Sequence, residues 1–207
     1  MLPGHWGDVM RKLLDLGMEK LRKLITEMGE MALLSLEGAR KSLEGERNSV
    51  EEISSKLHIM REEVLDIATE LLVRYSPVAG DLRFIQSAID VSYDLYRVSR
   101  YAMEIERTAR IVESVRPTPL LERGFSLTEE ALKTAIEAFQ NLEEANYGKL
   151  LELDKEIDEL YISSLRGMKQ EKCPPFEALI MRHLERISDH AKEIGARVVY
   201  IREGKRV

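Results

Sequence analysis

The apolar residues of this chain step by three and four almost from end to end. Leu184, Ile187, Ala191, Ile194, Val198 and Ile201 form one series, and Leu95, Val98, Ala102, Ile105, Ala109 and Val112 a second. Leu150, Leu153, Ile157 and Leu160 continue the pattern. Such stepping lays one apolar stripe along a helix, whereas a strand needs alternation by two. No stretch alternates by two for long enough to form a strand, so the chain is predicted to be all-α. The composition agrees: 33% charged and 6% aromatic residues, with 12 Gly and 6 Pro, suit long charge-laced helices.

The first two series belong to an internal repeat. Leu184-Glu185-Arg186-Ile187-Ser188-Asp189-His190-Ala191-Lys192-Glu193-Ile194 matches Leu95-Tyr96-Arg97-Val98-Ser99-Arg100-Tyr101-Ala102-Met103-Glu104-Ile105 at six of eleven positions. Breaks recur in parallel order around both copies. Ser49 with Glu52 and Ser126 with Glu129 have capping-box spacing. Pro77 and the pair Pro174-Pro175 interrupt the stripe. Glu44-Gly45-Glu46 and Asn146-Tyr147-Gly148 read as turns, and Arg116-Pro117-Thr118-Pro119 is the strongest break. The predicted helices cover 19–44, 49–75, 78–114, 126–146, 149–171 and 175–203. Two tandem three-helix bundles follow, over 19–115 and 120–203, with residues 1–18 as an extension that lengthens or flanks the first helix. Helices of these lengths run roughly 33 to 54 Å, so the molecule should be flat and elongated.

The net charge of −6 opposes general binding to nucleic acid. Arg197, Arg202, Lys205 and Arg206 make the tail basic, as cations at the negative end of a helix dipole. The longest run free of Asp, Glu, Lys and Arg is the seven residues Met1 to Gly7, far short of the roughly 18 a membrane span needs. With nothing resembling a secretory signal, a cytoplasmic location is expected. The lone Cys173 has no internal partner for a disulfide and suits a reducing compartment as a bystander thiol. The seven tyrosines fall at helical spacings and read as packing residues.

Acids on two helices carry the candidate chemistry. With Leu184 and Ile187 on the seam, Glu185 and Asp189 lie off the core, one turn apart, and Asp154 and Asp158 do the same beside Ile157. If these helices pack antiparallel, four carboxylates meet on one surface strip with few compensating cations. Such an oxygen-only set suits hard ions such as Mg²⁺, Mn²⁺, Ca²⁺ or oxidised iron. His190 would add an imidazole and shift the preference toward zinc or iron. Acids four apart are also ordinary on exposed helix faces, where Arg186 or Lys155 would neutralise them. In the first copy the same frame carries Ser54, His58, Tyr96 and Arg100. All four positions change together while the apolar seam stays, which fits loss of a shared ligand set. No catalytic arrangement accompanies the acids. None of the 4 His completes a Glu-x-x-His pair of the di-iron type, and no Gly-rich phosphate loop, Ser/His/Asp order or Cys pair is present. The chain is therefore expected not to be an enzyme.

Leu184-Glu185-Arg186-Ile187-Ser188-Asp189-His190-Ala191, together with Pro77-Val78-Ala79-Gly80-Asp81-Leu82-Arg83 and the doubled layout, resembles the PhoU family of phosphate transport system regulators. The family pattern has Gly where Ser188 stands, and the likeness runs from about residue 19 to 203. It implies a cytoplasmic, often homodimeric protein whose Glu/Asp-x-x-x-Asp motifs hold clusters of iron, zinc or magnesium. By that likeness the metal ligands are Asp154, Asp158, Glu185 and Asp189, with the first bundle's cluster missing or altered. The implied role is negative regulation of phosphate uptake and of starvation signalling, through the ABC transporter ATPase and, in bacteria, a sensor kinase. Two further readings remain open: a metal-binding accessory protein of another ion transporter, and a metal-free helical interaction module.

Overall fold

Apolar stripes of this length require partners along their whole extent, and the computed structural model supplies them helix against helix. It describes residues 4–46, 48–113, 117–143 and 146–207, with residues 4–6 described by backbone alone. Six helices are formed: α1 (Gly4–Leu43), α2 (Val50–Tyr75), α3 (Ala79–Ile111), α4 (Pro119–Asn141), α5 (Asn146–Lys169) and α6 (Pro175–Glu203). Among the described residues there is no strand. The seams read from the sequence are the core: Leu184, Ile187, Ala191, Ile194 and Val198 are fully buried on α6, as are Val98, Ala102 and Ile105 on α3.

Three boundaries differ from expectation, each for a local reason. α1 starts at Gly4, not near 19, so the N-terminal extension lengthens the helix, and the stripe continues upstream through buried Leu14. α4 starts at Pro119, not at 126, which leaves Ser126 and Glu129 inside the helix. Thr118 caps it, its Oγ1 accepting the Leu121 N–H at 3.4 Å, and Pro119 occupies the first turn, where its missing N–H costs nothing. Asn146-Tyr147-Gly148 opens α5 and is not a separate turn. Arg116 of the predicted central break lies outside the described residues. Glu44-Gly45-Glu46 is a turn as expected: Gly45 has φ +87° and the Glu46 N–H returns to the Lys41 carbonyl at 3.2 Å.

The helices form two antechambers of one interior. α1, α2 and α3 pack mutually, as do α4, α5 and α6, and the sets meet where α3 lies along α6 and α1 along α4. α2 and α5 touch only members of their own set and occupy the two outer edges. At the junction the Phe84 and Phe139 rings stack with centroids 5.9 Å apart, and the Arg22 guanidinium lies 5.0 Å over Phe84. Buried side chains of all six helices belong to a single apolar cluster. One opening lies between α2 and α3, and in the other set α5 packs on α6 at the corresponding place.

Candidate functional site

The α5–α6 groove is set by one close approach. A Cβ at Gly195 would fall 2.3 Å from Leu150 Cδ1 and 3.2 Å from Tyr147 Cδ2, so any larger residue requires Leu150 to shift. Leu150 meets Gly195 while Asp154 meets Ser188 and Lys192, so the two helices run antiparallel. That pairing brings Asp154 and Asp158 opposite Glu185 and Asp189.

The acids are deeper than a surface strip. Asp154 is 7% exposed and Glu185 6%, whereas Asp158 and Asp189 are half-buried at the rim. They are also better neutralised than the sequence reading expected. Ser188 Oγ donates to Asp154 Oδ1 at 3.1 Å. The Lys192 ammonium bridges Asp154 and Asp189, reaching Asp189 Oδ1 at 3.0 Å. Arg186 grips Glu185 with two bonds of 2.9 Å and also pairs with Asp189, and Arg182 reaches Glu185 Oε2 at 2.7 Å. Burial costs a charge dearly unless it is paired, and these three cations supply the pairing. All three are on α6 itself: Arg182 and Lys192 stand three residues from Glu185 and Asp189, and Arg186 is next to Glu185, spacings that the sequence displays. Lys155 forms no ion pair among the described residues.

Three cations face four carboxylates, and among the described residues Asp158 is the one without an ion pair. Burial holds its carboxyl above the usual carboxylate range, and the negative charges of Asp154, Glu185 and Asp189 push it further. The Lys192 ammonium is partly desolvated, which disfavours its charge, yet its bonds to Asp154 and Asp189 prevail and hold it well above an ordinary lysine. Arg186 is held up first by its bond to Glu185. The donors suit a hard cation in kind, four carboxylates with a serine hydroxyl beside them. Among the described residues, however, no three His, Cys, Asp or Glu side chains stand as a ready metal array. An entering cation has to displace the Lys192 ammonium, which already sits between two of the oxygens.

His190 does not join the acids. One residue further along α6 turns it about 100° away from Asp189, toward the junction of the bundles. There its Nδ1 lies 2.8 Å from Asp94 Oδ1 of α3, and its ring packs near Tyr93 and Tyr101. The Asp94 carboxyl is raised by burial, an effect that His190 opposes.

In the first bundle, Ser54, His58, Tyr96 and Arg100 line one groove between α2 and α3, as the repeat frame implied. Ser99 and Ser54 Oγ atoms lie 3.1 Å apart, the counterpart of the Ser188–Asp154 bond. Met103 stands where the second bundle has Lys192, so the acids and their ammonium partner are replaced together.

With this geometry in hand, comparison with known proteins is informative. The chain matches the PhoU domain twice, over residues 25–109 and 121–198. It is 29% identical over 188 residues to the phosphate-specific transport system accessory protein PhoU homolog of Archaeoglobus fulgidus, covering 88% of this chain and 91% of that protein. The Zymomonas mobilis homolog of the same description is 27% identical over 211 residues, covering 95% and 89%. Among solved structures, PhoU from Pseudomonas aeruginosa superposes with a TM-score of 0.74 at 24% identity, covering 96% of this chain and 99% of that one. The phosphate transport system regulatory protein PhoU from Streptococcus pneumoniae gives 0.73 at 22%, covering 94% and 99%, and shares the fold. Two domain matches, one to each half of a doubled helical bundle, make the chain a member of the PhoU family.

Proposed function

We propose that this protein is an accessory regulator of phosphate uptake that works by docking and not by catalysis. The observation carrying the reading is the pair of PhoU-domain matches across both bundles. Relatives described as accessory proteins of a phosphate-specific transport system, alignable over most of their length, support it. In this reading the protein acts in the cytoplasm as a homodimer, restraining the phosphate ABC transporter through its ATPase and damping starvation signalling through a sensor kinase. No helix among the described residues is long and apolar enough to cross a membrane.

Asp154, Asp158, Glu185 and Asp189 are the residues that would hold metal ions, whether iron, zinc, magnesium or manganese. Bound cations would supply positive charge to an acidic groove and coordination positions for a partner's oxygens. The chain's own part is to present the carboxylates from two antiparallel helices, with Ser188 orienting Asp154 and Lys192 balancing charge until a cation arrives. A pull-down with the immobilised full chain tests the docking role, and retention of the phosphate transporter ATPase is the expected result. No retention, with uptake unchanged on deleting the gene, overturns it. Elemental analysis of protein purified without chelator tests the metal: less than about a tenth of an equivalent, with no thermal shift on adding Mn²⁺, Zn²⁺ or Fe, leaves a metal-free module.

A further inference from the structure

The groove of the first bundle is the counterpart of the acidic groove with its polarity reversed. Ser54, His58, Tyr96, Arg100 and Met103 occupy the positions of Asp154, Asp158, Glu185, Asp189 and Lys192, and all five line one opening of about 390 Å³. Where the second bundle concentrates acceptors, the first concentrates donors. Arg100 forms no ion pair among the described residues, and its one recorded contact is Nη1 to the Met103 sulfur at 3.9 Å, which satisfies little of a five-donor guanidinium. The Tyr96 hydroxyl and the His58 ring nitrogens likewise have no hydrogen-bond partner among the described residues. Their rings rest against each other with centroids 5.4 Å apart, which fixes their orientation. Ser54 also lines the opening, its hydroxyl accepting from Ser99 Oγ at 3.1 Å. Among the described residues Arg22, Arg83 and Arg97 also lack a carboxylate, but each bonds an oxygen of a neighbour, whereas Arg100 has only the sulfur contact. Its fork geometry suits two oxygens of one tetrahedral anion.

We infer that this groove is a binding site for a tetrahedral oxyanion, and that inorganic phosphate is the form it selects. Arg100 would meet two oxygens side by side, with Tyr96 and His58 donating to the others. One acid, Glu51 in the first turn of α2, lines the same opening. Its carboxylate repels a fully deprotonated anion such as sulfate but accepts a hydrogen bond from the P–OH of hydrogen phosphate, so it discriminates by protonation. The inference rests on the groove's own residues and not on the docking role proposed above. A failed pull-down and a failed phosphate titration are therefore separate results.

The test is calorimetric titration of the full chain with inorganic phosphate, and with sulfate, at matched ionic strength and neutral pH. Saturable binding of phosphate is expected, at least several-fold tighter than sulfate. Arg100→Gln should weaken phosphate by about tenfold or more, as expected for losing a charge-assisted pair. Tyr96→Phe, which keeps the ring packing, should weaken it less, and Arg74→Gln, in an exposed pair at the far end of α2, should leave it unchanged. Arg100 is half-exposed and holds no helix to another, so a helical circular dichroism spectrum like that of the parent is expected for its variant. No saturable heat up to about 10 mM phosphate, or binding within twofold of the parent in Arg100→Gln, overturns the site. Equal affinity for sulfate overturns the choice of phosphate and the role given to Glu51.

Discussion

Replacing Lys192 with methionine separates the two ways of neutralising the acidic groove. The substitution keeps the length of the aliphatic stem and removes only the ammonium that bridges Asp154 and Asp189. The Asp154 side chain is 10% exposed and that of Lys192 25%, so the pair lies between the buried and surface extremes. Breaking a fully buried pair costs about 3–5 kcal/mol and a surface pair up to about 1, which brackets the loss near 2 kcal/mol because Ser188 still bonds Asp154. For a chain of this size that is a fall in melting temperature of about 4–8 °C without metal. The same change removes the competitor for the oxygens, so Mn²⁺ should stabilise the variant more than the parent. At about a hundredfold over its dissociation constant the ion returns about 2.7 kcal/mol, enough to restore the loss. Thermal unfolding with chelator and then with Mn²⁺ reads both effects. A metal-free variant melting within about 1 °C of the parent, or an equal Mn²⁺ response in both, refutes the reasoning.

Three further outcomes follow from particular contacts. Because the Asp158 carboxyl is raised in the folded state, that state binds the proton more tightly than the unfolded one. Stability from this group therefore falls as pH rises from the ordinary carboxylate range through its raised value. Asp158→Asn should remove that fall and stabilise metal-free protein at neutral pH by up to about 1 kcal/mol, seen in urea midpoints across pH. Gly195→Ala improves helix propensity by about 1 kcal/mol but drives a methyl into Leu150, and overpacking costs about 1–3, so net destabilisation near 1 kcal/mol is expected; a more stable variant counts against the close approach. Phe139→Ala removes one ring of the stack between bundles and should cost about 3–5 kcal/mol in denaturant unfolding, with less than about 1 kcal/mol pointing to a junction that carries little of the stability.

What could be read from the sequence was whatever periodicity encodes. The seams on α3 and α6 emerged with the right residues inside, except Val112, which caps α3 and is not buried, because step spacing reports the buried face only within the helix. Capping signals were weaker guides: Ser126 has the spacing of a cap, but Thr118-Pro119 upstream starts α4 and the apolar stripe simply continues through it. The positions of the four acids were legible as neighbours, and the serine pairs Ser188–Asp154 and Ser99–Ser54 show the repeat frame to be in register. Their depth was not legible. Whether Glu185 is exposed depends on tertiary packing, which periodicity within one helix does not report. His190 could not be placed from its neighbours in sequence, because adjacency in sequence is divergence on a helix, and its partner Asp94 comes from the other bundle.

The continuous interior has a consequence for how this architecture could be cut or borrowed. Ile136 and Phe139 of α4 are covered by Gly29 of α1 and Phe84 of α3, so freeing either half would strip an oily seam of its lid. The duplicated unit is therefore no longer a self-sufficient module. Each copy is the other's cover, and melting should proceed in one concerted step, with no stage in which a half stands by itself.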